Sequence, residues 1–145
     1  MFEQAREPIL NGLEINPKNS DLLLAKAFYE SETDQCLPAK NTVYKTLDFK
    51  QSIDTYKRGG HILFRCRFYD DAKIIFQTLH HVLPEHRTTM IKLAWIAYYQ
   101  KKYTLAQKWA KNVITINPRR SSYSDSKNLK EANRILELTK LSPSM

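Results

Sequence analysis

Apolar residues recur along this chain at intervals of three and four. Leu93, Ile96 and Ala97 do so, as do Ala106, Trp109, Ala110 and Val113. That spacing gathers them on one face of an α-helix. The pattern and its polar interruptions predict helices over about residues 2–14, 20–32, 38–49, 53–67, 70–82, 88–100, 104–115 and 125–140. Pro38 suits the first turn of its helix, where a missing N–H costs nothing. Ser20, just ahead of an apolar-periodic run, is the expected N-cap of the second helix. Residues 119–126, RRSSYSDS, read as a polar linker. The segment after it, NLKEANRILEL, is amphipathic, with Leu129, Ala132, Ile135, Leu136 and Leu138 along one side.

A second, longer period lies over the first. Pro84 in VLPEHR and Pro118 in INPRR are 34 residues apart. Twelve residues before them stand Ala72 and Ala106, and three residues before those stand Tyr69 and Tyr103. Both of these pairs keep the spacing of 34. Upstream, Pro17 in INPKN follows Ala5 by twelve, and the alanine series Ala5, Ala39, Ala72, Ala106 steps by 34, 33 and 34. The repeat around Ala39 has no matching proline, is one residue short, and carries Cys36 where the others have an aromatic.

Over roughly residues 2–120 the chain resembles the tetratricopeptide repeat family, on Tyr69, Ala72, Phe76 and Pro84, then Tyr103, Ala106 and Pro118. Ala27, Gly60 and Ala94 supply the small residues where first helices cross closely, whereas Gly59 stands where the family prefers a large apolar side chain. The resemblance implies an all-α, right-handed superhelical stack of helix hairpins in a single domain, 1–145. Its expected parts are a half-repeat at 2–18, repeats at about 19–52, 53–86 and 87–120, and a capping helix at 125–140. The first helix then lacks its hairpin mate. Its apolar face of Phe2, Ala5, Ile9, Leu10 and Leu13 is expected to be half covered, with a partner, a second copy of the chain, or further sequence completing it.

In that family, first helices line a concave groove that holds an extended peptide or a helix. Projected onto this chain, the groove carries Leu24 and Phe28, then Lys57, His61, Phe64 and Arg65, then Ile91, Lys92, Trp95, Tyr98 and Tyr99. Aromatics give rigid contact area and cations give charge-assisted bonds, so a protein segment with acidic and apolar residues fits. The same aromatics also serve as packing between helices. A carboxylate clamp of the family's Lys/Asn/Arg type is not reproduced: Lys57 and Lys92 offer cations, but His61 and Trp95 stand where asparagines would.

Charge changes the picture at one end. Of the net +8, residues 1–85 contribute −1 and residues 86–145 contribute +9. The excess suggests an acidic partner on that side, against the plainer reading of a solvated basic face. Lys101, Lys102, Lys108, Lys111, Arg119, Arg120, Lys127 and Lys130 form the basic set, but no nucleic-acid motif accompanies them, and nucleic acid is not the expected partner.

Catalytic patterns are missing. The four histidines, His61, His80, His81 and His86, make no zinc spacing. KRGGH lacks the lysine and serine of a phosphate loop, and Asp70–Asp71 suit a helix start. Cys36 and Cys66, 30 residues apart with no CxxC, are expected to be reduced thiols. No apolar run is long enough to span a bilayer, and MFEQAREPIL is charged where a signal peptide needs an apolar core. The expectation is a cytoplasmic protein-binding adaptor or scaffold that is not an enzyme and has no cofactor or metal. The alternatives are a small chaperone like those of type III secretion, a structural subunit of a larger complex, or an RNA-associated protein.

Overall fold

The computed structural model describes residues 2–116 and 123–140 and, among them, contains only helices. In chain order these are α1 (Phe2–Ile15), α2 (Ser20–Glu32), α3 (Cys36–Phe49), α4 (Ile53–Arg65), α5 (Tyr69–Val82), α6 (Arg87–Tyr99), α7 (Tyr103–Thr115) and α8 (Tyr123–Lys140). All eight expected helices are present, with ends within about three residues of the positions read from periodicity. Pro118 and the Arg119–Arg120 pair lie outside the described residues, as do the side chains of Phe2 and Ala5. One cap differs from expectation. Asn19, not Ser20, caps α2, its side-chain oxygen accepting from the Leu22 N–H at 3.0 Å. Ser52 does the same for α4, accepting from the Thr55 N–H at 3.2 Å.

The chain divides into two compact units, one up to Ile75 and one from Phe76 on, the division falling inside α5. In the first unit, α1 packs on α2, α2 pairs with α3, and α4 packs on both α2 and α3. The same rule appears in the second: α6 pairs with α7, and α8 packs on both. Relative to its hairpin, α8 therefore occupies the place that α4 occupies relative to α2–α3. The core of the second unit joins Met90, Ile91, Ala94 and Ala97 of α6 to Ala106, Ala110 and Val113 of α7 and to Ala132 and Ile135 of α8.

The small residues do what their spacing demands. Ala39, Ala72 and Ala106 are fully buried, and so are Ala27 and Ala94. Gly59 departs from the family pattern for a packing reason: a Cβ there would sit 2.9 Å from Val43 Cγ1, so α3 and α4 approach over a bare backbone. Gly12 serves the α1–α2 contact likewise, where a Cβ would meet Leu22 Cδ1 at 2.5 Å.

Three hairpin turns share one backbone solution. Asp34, Arg67 and Lys101 have φ of 60°, 65° and 64°, at spacings of 33 and 34. The residue after each donates its N–H five residues back: Gln35 to Glu30 O at 2.8 Å, Phe68 to Leu63 O at 3.0 Å, Lys102 to Ala97 O at 2.8 Å. This is the Schellman closure of a helix C-terminus, normally built on glycine because a Cβ is strained in the left-handed region. Here a charged residue occupies it each time. Arg67→Gly and Lys101→Gly are therefore expected to stabilise their units by about 0.5–1 kcal/mol each, in denaturant melts. A loss of stability from either would show that the side chain contributes more than the strain costs.

Each turn is also closed by side chains, with one exception. Across the α4–α5 turn, Phe64 meets Tyr69 edge-on at 5.8 Å. Across the α6–α7 turn, Tyr98 meets Tyr103 edge-on at 5.7 Å. At the α2–α3 turn the equivalent positions are Ser31 and Cys36. Cys36 instead forms a disulfide with Cys66, the C-cap of α4, with Cα atoms 5.6 Å apart. The expectation of reduced, unpaired thiols is corrected here. Stacking one repeat on the next sets the start of α3 beside the end of α4, which residue spacing alone does not reveal.

Candidate functional site

The projected groove residues divide between the units. In the first, Phe28 is exposed on α2, and the Arg65 guanidinium of α4 sits 5.3 Å from its ring centroid. Arg65 also pairs with the Glu32 carboxylate. Phe28, Arg65 and Glu32 thus form one cation–aromatic–anion group. Lys57 is exposed on α4, whereas His61 and Phe64 are half-buried, Phe64 turned to Tyr69. Leu24, by contrast, is 1% exposed and belongs to the packing between helices.

In the second unit the aromatics draw together. Trp95 and Tyr99, one turn apart on α6, stack at 5.8 Å with planes 22° apart. Tyr98 stands edge-on to both, at 5.7 and 5.6 Å, and to Tyr103. Tyr99 is 48% exposed, Trp95 and Tyr98 are half-buried, and Ile91 at 1% exposure lies in the core with Ala132 and Ile135 of α8. Ile91 therefore has no surface to offer a partner.

Lys92 stands one turn before Trp95. Burial holds its ammonium below the ordinary lysine range, with the Glu131 carboxylate opposing that shift and Lys127 adding to it. Both of those groups belong to α8. Helix α8 runs beside α6 in the same sense: Asn128 Nδ2 donates to Thr88 Oγ1 at 3.0 Å, and three residues further along α8 Glu131 acts on Lys92, four residues further along α6. Lys127 and Glu131 of α8 thus lie near Lys92, which stands one turn before Trp95 on α6. The sequence gives no way to place them, because the linker before α8 moves the register from 34 to about 40.

Beside α1 the first unit holds a cavity of about 220 Å³, lined by Arg6, Ile9, Leu10, Lys26, Tyr29, Glu30 and Gln35. Its apolar wall is the part of the α1 face expected to be incompletely covered. Glu30 is anchored there, accepting from Thr42 Oγ1 at 2.8 Å and facing Lys26 Nζ at 3.8 Å.

Charge separates sharply by unit. Up to Ile75 there are 11 Lys/Arg and 11 Asp/Glu; from Phe76 on there are 12 and 4. The ion pairs Lys40–Asp71 at 3.3 Å and Arg58 with Asp21 and Asp54 at 2.9 and 3.3 Å belong to the balanced unit. In the second, eight cations exceed any one-to-one pairing. Lys108 and Lys111 on α7 and Lys127, Lys130 and Arg134 on α8 are exposed. Among the described residues, no three His, Cys, Asp or Glu side chains gather as metal ligands, and no helix is long and apolar enough to cross a membrane.

No family model and no curated protein matches the chain. Solved structures do match. A crystal structure of MamA aligns at a TM-score of 0.68 and 16% identity, over 96% of this chain and 86% of that one. The MamA RS-1 ArsTM double mutant gives 0.69 and 10%, over 98% and 88%. MamA is a tetratricopeptide-repeat protein. The chain has the tetratricopeptide-repeat fold. Within that fold α8 packs on both helices of the α6–α7 hairpin, as α4 packs on both helices of α2–α3.

Proposed function

We propose that the protein is a non-enzymatic tetratricopeptide adaptor that holds an extended or helical protein segment against the seam of α6 and α8. The observation that carries this reading is the stacked Trp95–Tyr99 pair, with Tyr99 half exposed and Lys92 one turn before Trp95 on the same helix. A rigid aromatic platform presents contact area at little entropic cost, and the neighbouring Lys92 ammonium favours an acidic residue next to an apolar one in the ligand. The Phe28–Arg65–Glu32 group offers the first unit a smaller surface of related chemistry.

The test is capture from native cell extract, with mass spectrometry of what is bound and titration of the partner found. Tyr99→Ala and Trp95→Ala are expected to weaken binding by about 1–3 kcal/mol each. The Tyr99 variant is expected to keep its melt within about 1 kcal/mol, since its side chain is half exposed. Full binding by the Trp95/Tyr99 double variant, with the fold intact, would remove this surface from the function. A partner released only on refolding would mark a chaperone rather than an adaptor.

A further inference from the structure

The Cys36–Cys66 bond crosses from one hairpin to the next, and nothing in the seam of the second unit uses it. Both cysteines are half-buried, so solvent reaches the bridge. Their surroundings differ. Cys66 is flanked by Arg65 and Arg67, two cations that attract an incoming thiolate. Cys36 is the first residue of α3, and Gln35 before it makes no side-chain capping bond. Cys36 therefore sits in the first turn of α3, and the positive end of a helix favours a departing thiolate there.

We propose that Cys36 and Cys66 form a reversible thiol–disulfide exchange site whose state sets how firmly the end of α4 is held. The reductant is a dithiol. Its thiolate attacks Cys66 Sγ, the Cys36–Cys66 bond breaks, and Cys36 leaves as a thiolate that takes a proton from water. The second thiol of the reductant loses its proton and attacks its own mixed-disulfide sulfur. Cys66 is expelled as a thiolate and protonated. Two electrons and two protons pass to the protein, and the dithiol becomes a disulfide.

Reduction reaches further than the sulfurs. Arg65, next to Cys66, carries the contacts to Phe28 and Glu32. The amides of Cys66, Arg67 and Phe68 close the end of α4 on Ile62, Phe64 and Leu63. With the bridge cut, this end loses its tie to α3, and the candidate surface of the first unit loosens with it. The α6–α7 turn has the same backbone closure and no cysteine, so it serves as an internal control.

The experiment is native-state hydrogen exchange on the full chain, oxidised with glutathione disulfide or reduced with dithiothreitol, with alkylation and mass measurement of free thiols. The oxidised protein is expected to take no alkyl group, and native dithiothreitol to expose two thiols. On reduction the amides of Gln35, Arg67 and Phe68 are expected to exchange about tenfold faster or more, while Lys102 is unchanged. A Cys36→Ala/Cys66→Ala double variant is expected to match the reduced protein under both conditions. If that variant does not fold, the reduced wild type carries the comparison. The proposal is overturned if glutathione disulfide leaves both thiols alkylatable, if the bond yields to dithiothreitol only after denaturation, or if exchange at these amides is the same in both states. None of these results depends on the Trp95 surface, which belongs to the other unit.

Discussion

Replacing Cys36 with serine is expected to lower the stability of the first unit by about 3–4 kcal/mol. The bridge closes a loop with a sequence separation of 30. In the chain-entropy account, a 15-residue loop is worth about 3 kcal/mol and a 100-residue loop about 4.7, so this one falls between them. The loss arises in the unfolded chain, which regains freedom once the cross-link is gone. Reduced wild type should therefore lose nearly as much as Cys36→Ser. The check is a guanidinium melt of the oxidised, reduced and Cys36→Ser proteins, followed by probes in the first unit. A shift in melting temperature of roughly 10 °C or more is the corresponding thermal signal. Coincident curves would mean that the cross-link constrains nothing the fold does not already constrain.

The second large effect is expected from Ala106→Leu, which should cost about 3 kcal/mol. Ala106 is fully buried in the core where Met90, Ala94 and Ala97 of α6 face α7. Its side chain has no room to grow, because the two helices close on an alanine, and three extra carbons must displace a helix or force a strained rotamer. Lys108→Leu, exposed two residues away on the same helix, is the control and should stay within about 0.5 kcal/mol. Equal effects at the two positions would remove close helix contact as the reason for the buried alanines. Differential scanning calorimetry of the two variants decides it.

The repeat was legible because a few residues recur for strict mechanical reasons. Ala39, Ala72 and Ala106 mark one close crossing each, and Tyr69 and Tyr103 open the second helix of a hairpin by packing back across its turn. Such landmarks survive where general apolarity blurs. What escaped the sequence depended on contacts between repeats. Position along a first helix assigns Leu24 and Ile91 to the groove, yet both are buried. Ile91 meets Ala132 and Ile135 of α8, and periodicity within α6 cannot say how near that neighbour comes. Lys127 and Glu131 stayed hidden because the lengthened linker broke the register. The cysteine pairing has no local signature, because Cys36 and Cys66 share no motif and meet only when two hairpins stack. The degenerate repeat carries the clue, since Cys36 sits where its counterparts Phe2, Tyr69 and Tyr103 are aromatic.

The segregation of charge gives the two units opposite responses to salt. The first has as many acids as bases and engages several of them in surface ion pairs. Added electrolyte screens those attractions and weakens it slightly. The second carries 12 cations against 4 anions, so its charges mainly repel one another, and the same electrolyte relieves that repulsion and firms it. Rising ionic strength is therefore expected to shift relative stability away from the first unit and toward the second.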